Sequence, residues 1–246
     1  MNTVREQLRI EAPAGMGESL QLGQYVEGYA KPSAELGFWD RLRGKKAAPT
    51  ERVYVFSGGF VWLTPKDDGT EEKTVVRFSE VANIFLPATR GGSNGTYERT
   101  IYQLRILGRD GSMMMDRVGS YVNEDESEKN ASWEWIVLDA ISDQWERLLV
   151  DVVNNALNQR KALNFINSKQ HVILTLDSIT CDGVTMRRGE FEWQRGNGEL
   201  RLRRKAPQNI NMNNYTSGPD ELVIDVNTMG NRRTFLACLT GIFGIK

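Results

Sequence analysis

One histidine, His171, and two cysteines, Cys181 and Cys238, in 246 residues leave little material for the commonest catalytic and metal-binding chemistries. A serine or cysteine nucleophile of the usual kind needs an imidazole to take its proton, and only His171 can offer one. It stands directly before the apolar residues 172–176 with no nucleophile motif beside it, and no G-x-S-x-G occurs anywhere. A zinc site built on histidine has the same single candidate, and the two cysteines lack metal-ligand spacing. Both sit in apolar contexts, where a free thiol acts as a small hydrophobe, and a reduced state is expected. Long apolar runs are missing too. Nothing reaches the roughly 18 apolar residues of a membrane span, and MNTVREQLRIEAPAG lacks the apolar heart of a secretory signal. A cytoplasmic location is the expectation. Excess charge is also absent: 31 Lys and Arg face 32 Asp and Glu. There is no bulk basic field to attract nucleic acid, which is not expected as a partner.

What is present is strand pattern. Residues 1–50 read as an irregular arm punctuated by Pro13, Pro32, Pro49 and several glycines, with strand character only over 20–29. Within the arm, FWDRLRGKK (residues 38–46) sets two aromatics beside basic residues and reads as a solvated linker. From Arg52 the texture changes. RVYVF, a Ser-Gly-Gly reversal and FVWL make a hairpin signature. Further strands are expected over 74–78, 81–86, 97–107 and 112–118. The glycine-rich residues 90–95 read as a loop, because no Lys-Ser/Thr pair opening a helix follows to make a phosphate-binding site. An acidic stretch over 124–128 lacks the twelve-residue glycine-bearing calcium loop and reads as solvated.

One long helix follows, with Ser132 as its N-cap, and runs to about Lys161, on the order of 45 Å. Leu138, Ile141, Trp145, Leu148, Val152 and Ala156 recur at steps of three and four and define its apolar stripe. Asp139, Asp143, Glu146 and Asp151 alternate with Arg147 around the polar side, which reads as a solvated face rather than converging acids. A helix of that length should reach a second unit or a second copy of the chain, so self-association through it is allowed. The remaining residues repeat the scheme on a smaller scale. Strands over 172–176 and 178–181, an Asp182-Gly183 turn, a hairpin through Gly196-Asn197-Gly198, a strand over 222–226 and a closing helix capped by Asn231 complete the chain.

This succession resembles the pleckstrin-homology-like domains of bacterial proteins. The carriers are strand-Gly-strand, then RFSEV entering the next strand, then the long amphipathic helix. DSITCDGVTMRRGEFEWQRGNGELRLRR followed by VIDVNTMGNRRTFLACLTGIF is similar again. The pattern resembles an uncharacterised bacterial family with tandem domains of this type. The resemblance implies an α+β, mostly β chain: two bent-sheet or barrel domains, each closed by a C-terminal helix, over 51–163 and 164–246 after the arm of 1–50. It carries no signature chemistry, so no catalytic residue, cofactor or metal is assigned.

The most suggestive surface is ELRLRRK. Arg201 and Arg203 share one face of a strand and, with Arg195 across the turn and Lys205 at the end, form a basic edge for an anionic ligand. The residues following position 163 carry 11 basic and 8 acidic side chains, a mild cationic bias. The leading expectation is a non-enzymatic cytoplasmic adaptor that binds a protein partner by strand addition or helix-in-groove docking. The alternative is peripheral binding of anionic lipid head groups at a membrane surface through the basic edge. An enzyme assembled from distant acid–base groups stands third.

Overall fold

The computed structural model describes residues 4–32, 50–93, 96–121, 132–205 and 221–246. The aromatic-basic stretch over 38–46 and the acidic stretch over 124–128 lie outside the described residues. Packing divides the chain into two units: Met1–Ala82 with Ala88–Trp145, and Asn83–Pro87 with Glu146–Lys246. The chain is mostly β, in four antiparallel sheets with a few helices. None of the sheets closes into a barrel among the described residues, which corrects that part of the expectation.

The first unit opens with two short helices, α1 (Val4–Leu8) and α2 (Met16–Ser19), that the irregular arm did not announce. Its first sheet is a meander of β1 (Tyr25–Ala30), β2 (Arg52–Phe56), β3 (Gly59–Pro65) and β4 (Glu71–Arg77). In β2 and β3 nearly every residue is buried, so both faces of this hairpin are covered. Gly59 makes that covering feasible, since a Cβ there would stand 2.2 Å from the Val76 carbonyl oxygen. The second sheet runs β5 (Val81–Phe85), β7 (Thr96–Gly108), β6 (Ala88–Ser93), with β8 (Met113–Tyr121) added along β7. The expected loop at 90–95 is therefore strand as far as Ser93. Its glycines are absorbed by a register break at Gly91/Gly92, since a bulge tolerates residues with no side chain to pack.

The long helix α3 spans Trp133–Asn158, and the Ser132 hydroxyl accepts from the Trp135 amide at 3.3 Å, as its N-cap role requires. Trp133, Ile136, Val137, Leu138, Ile141 and Trp145 are buried, with Trp145 5.6 Å from the Phe78 ring and Trp135 4.7 Å from Tyr102. Beyond Trp145 the expected stripe holds at Ala156 but fails at Leu148 and Val152. Leu148 and Val152 are exposed, while Val153, Ala156 and Leu157 pack against the core of the second unit. The helix serves two cores with two faces, and one continuous periodicity cannot describe both.

The second unit holds a sheet ordered β12 (Val184–Arg187), β11 (Ser178–Cys181), β10 (His171–Leu174), β9 (Leu163–Ile166). A second sheet follows: β13 (Phe191–Gly196), β14 (Glu199–Arg204), β15 (Glu221–Asp225). Helix α4 (Arg232–Cys238) then continues as a π-helical turn over Leu239–Phe243. Two hairpins turn where the sequence placed them, with Asp182-Gly183 and Asn197-Gly198 all at positive φ, as type I′ turns demand. Val172, Leu174, Ile179, Leu200, Leu202, Ile224 and Phe235, all fully buried, lie in the core of this unit. Asn231 does not cap α4 with its side chain. It sits at φ 51°, accepts from the Ile84 amide at 3.0 Å through Oδ1, and donates from Nδ2 to Asn83 at 3.1 Å. A left-handed residue cannot aim its side chain back along the helix it opens, and Asn tolerates that conformation.

Candidate functional site

Of the predicted basic edge, Arg201 and Arg203 share a face, but Arg195 does not share it. Across the Asn197-Gly198 turn, Gly196 pairs with Glu199, Gln194 with Arg201 and Glu192 with Arg203, whereas Arg195 pairs with Leu200. Arg201 and Arg203 therefore face outward among Gln194, Glu199 and Glu221 in a polar hollow of about 360 Å³. Arg201 pairs with Glu199 at 2.7 Å and Arg203 with Glu221 at 3.6 Å. Arg195 lies on the opposite side, near enough to Arg232 to help lower the Arg232 pKa, second to burial of that guanidinium. Lys205 is exposed just after β14, its amide donating to the Glu190 carbonyl at 2.8 Å. Arg201 and Arg203 come together with carboxylates already on them.

His171 is exposed on β10, with Nε2 3.1 Å from the Asn164 side-chain oxygen and its amide donating to Asp182 Oδ1 at 3.3 Å. Among the described residues, no nucleophile stands among its hydrogen-bond partners. Among the described residues, no group of three or more His, Cys, Asp or Glu side chains has the arrangement to hold a metal ion.

A different site, in the first unit, was not anticipated. Trp62 on β3 and Trp133 at the start of α3 meet edge to face, centroids 5.6 Å apart. Each indole carries a cation: Lys31 Nζ lies 5.3 Å from the Trp133 ring, and the Arg117 guanidinium 5.3 Å from that of Trp62. Lys31 also bridges Glu134 at 3.1 Å and Glu51 at 4.0 Å, and Glu51 accepts from Trp62 Nε1 at 2.8 Å. These six side chains line a cleft of about 80 Å³ that opens beside Val118, a residue 68% exposed on β8. Two donors of the lining residues have no carboxylate acceptor among the described residues. Trp133 is only 4% exposed, yet its Nε1 has no hydrogen-bond partner among the described residues. Arg117 donates to the Thr64 hydroxyl at 3.2 Å and pairs with no carboxylate among the described residues. Gly119 brings β8 against α3 so closely that a Cβ would stand 2.6 Å from the Cβ of Glu134. The residues come from positions 31 to 134 and share no local motif, so no sequence signal marked the cleft.

The strand bordering the cleft is also a free edge. Among the described strands β8 pairs with β7 alone. Three other edges, at β1, β15 and β4, are occupied or guarded. Along β1, Arg9 bridges Tyr29, and the Ile10 amide donates to the Gly28 carbonyl at 2.9 Å. At β15, Gln170 donates to the Val223 carbonyl at 2.7 Å and accepts from the Asp225 amide at 2.9 Å, while Asn167 donates to the Asp225 carbonyl at 3.0 Å. At β4, exposed Glu71, Glu72 and Lys73 stand guard. Strand β8 has nine residues, and Met113 and Val118 on it are exposed.

By fold and site, then, this is a two-unit, mostly β protein with a tryptophan-lined cleft beside an open strand. No protein-family model matches the chain, and no curated protein matches it.

Proposed function

We propose that this chain is a non-enzymatic, cytoplasmic interaction module of two pleckstrin-homology-like halves that binds a protein partner by adding an extended segment of that partner to β8. The observation that carries this reading is the edge of β8: a nine-residue strand with one neighbour among the described strands, bordered by exposed Val118 and Met113, while the edges at β1, β4 and β15 are covered or charged. Unpaired edge N–H and C=O groups are a template for another strand, and proteins that do not use such an edge normally blunt it. The four-plus-three strand succession and closing helix of the second unit support the pleckstrin-homology-like reading of the halves. The reading of anionic head-group binding is weakened by the pairing of Arg201 and Arg203 with Glu199 and Glu221.

The test compares the full chain with Val118→Lys, a change at an exposed position that places a charge on the edge. A partner captured from the native host should bind the wild-type chain, protect the β8 amides from hydrogen exchange and lose at least about tenfold in affinity for the variant. Equal affinity for both chains, with β8 amides unprotected, would remove strand addition from consideration.

A further inference from the structure

The cleft and the open strand are neighbours, and that neighbourhood specifies what the partner must carry. We infer that the segment added to β8 presents an acidic side chain to the cleft, where the Arg117 guanidinium and the Trp133 indole N–H receive its carboxylate. The inference rests on the strand-addition reading and names the chemistry of the partner.

The strand pairing sets the direction. Arg117 and Gly119 pair with Leu104 and Tyr102, both buried, so they lie on the inner face of β8, while Val118 pairs with Gln103 on the outer face. Side chains of an added strand alternate in the same way, so those opposite Arg117 or Gly119 fall on the inner side, where the cleft opens. The space over Gly119 is filled by Glu134, so the side chain opposite Arg117 is the one that reaches the cleft.

The chemistry of the cleft selects its occupant. The Trp133 and Trp62 faces are already taken by Lys31 and Arg117, so a cation from outside finds no free ring. The carboxylates of Glu51 and Glu134 are held by Lys31, and Glu51 also by the Trp62 indole. Among the described residues, what remain are donors without a charged acceptor: the buried Trp133 Nε1–H and the Arg117 fork, whose hydrogen bond goes to a hydroxyl. A buried indole N–H normally finds an acceptor, and a guanidinium fork matches a carboxylate better than any other side chain. A cleft of about 80 Å³ holds several water volumes, enough for a carboxylate tip and too little for an additional aromatic ring.

The test uses a display library of random decapeptides selected against the immobilised full chain, in wild-type and Arg117→Gln forms. Recovered peptides should carry one Asp or Glu in fixed register and protect β8 amides from exchange. They should also shift the Trp133 indole resonance in a ¹⁵N–¹H spectrum. Replacing that acid by its amide should weaken binding about tenfold in the wild-type chain and hardly at all in Arg117→Gln. Peptides that protect β8 without an acidic preference, or that discriminate acid from amide equally in both chains, overturn the acidic-partner inference and leave strand addition standing. If no recovered peptide protects β8, strand addition falls and this inference with it.

Discussion

At the scale of single residues, burial determines which groups respond to pH. Cys181 and Cys238 are both free and buried. Burial pushes the Cys181 thiol up to about 12, helped by the charge of Asp182 and a hydrogen bond to it, and burial alone lifts Cys238 to about 11. A raised pKa means that the folded state holds the proton after the unfolded chain has released it. The stabilisation is complete below the ordinary thiol value of 9.0 and is lost as pH climbs through the folded values. Tyr29, lifted from 10.0 to about 12 by burial and then by its bond to Glu27, acts in the same direction. Urea unfolding at intervals from pH 8 to 11 should therefore show stability falling above pH 9. A Cys181→Ala, Cys238→Ala double variant should show a shallower fall, and an unchanged slope would remove the thiols from the account. Asn231 is the other residue of consequence. Replacing it by Ala strands the Ile84 amide and puts at a left-handed position a residue that tolerates it less well than asparagine, for a cost of about 2–4 kcal/mol in urea unfolding.

Elements show how far the sequence alone could go. Type I′ turns at Asp182-Gly183 and Asn197-Gly198 were legible because only Asn, Asp and Gly take positive φ cheaply, and the first half of α3 because its stripe and its Ser132 cap agree. Strand β6 was missed because its glycines look like a loop until a neighbouring strand absorbs them as a bulge. Strand β9, only Leu163–Ile166, is too short to show a period. The separation of Arg195 from Arg201 was legible in principle: counting outward from a two-residue turn at 197–198 pairs Gln194 with Arg201 and leaves Arg195 on the other face. The cleft was beyond reach, because pairing of distant strands, not local pattern, brings Trp62, Arg117 and Trp133 together. Edge protection is testable at this scale. Gln170→Ala uncovers the Val223 carbonyl and the Asp225 amide, which should cost about 1–2 kcal/mol and produce concentration-dependent association in sedimentation velocity. A variant that stays monomeric at every concentration would mean the side-chain cap is dispensable.

For the whole molecule, the question is whether two units unfold as one. Each has its own cluster of buried apolar residues, which predicts separable stability. Native-state hydrogen exchange on Asn231→Ala should show faster exchange in β9, β10, β15 and α4, with β2 and β3 unchanged. Equal loss in all six elements would identify a single cooperative system.

The pairing of Asn231 with Ile84 has a further consequence, in the order of synthesis. The second unit consists of residues 146–246 together with the five-residue segment Asn83–Pro87, and the partners in its buried asparagine contact are separated by 147 positions. On a ribosome adding about 5–20 residues per second, the early segment leaves the tunnel several seconds before Asn231 is made. A nascent chain thus holds a strand end whose partner does not yet exist, and the second unit gains its last buried hydrogen bonds only as translation finishes.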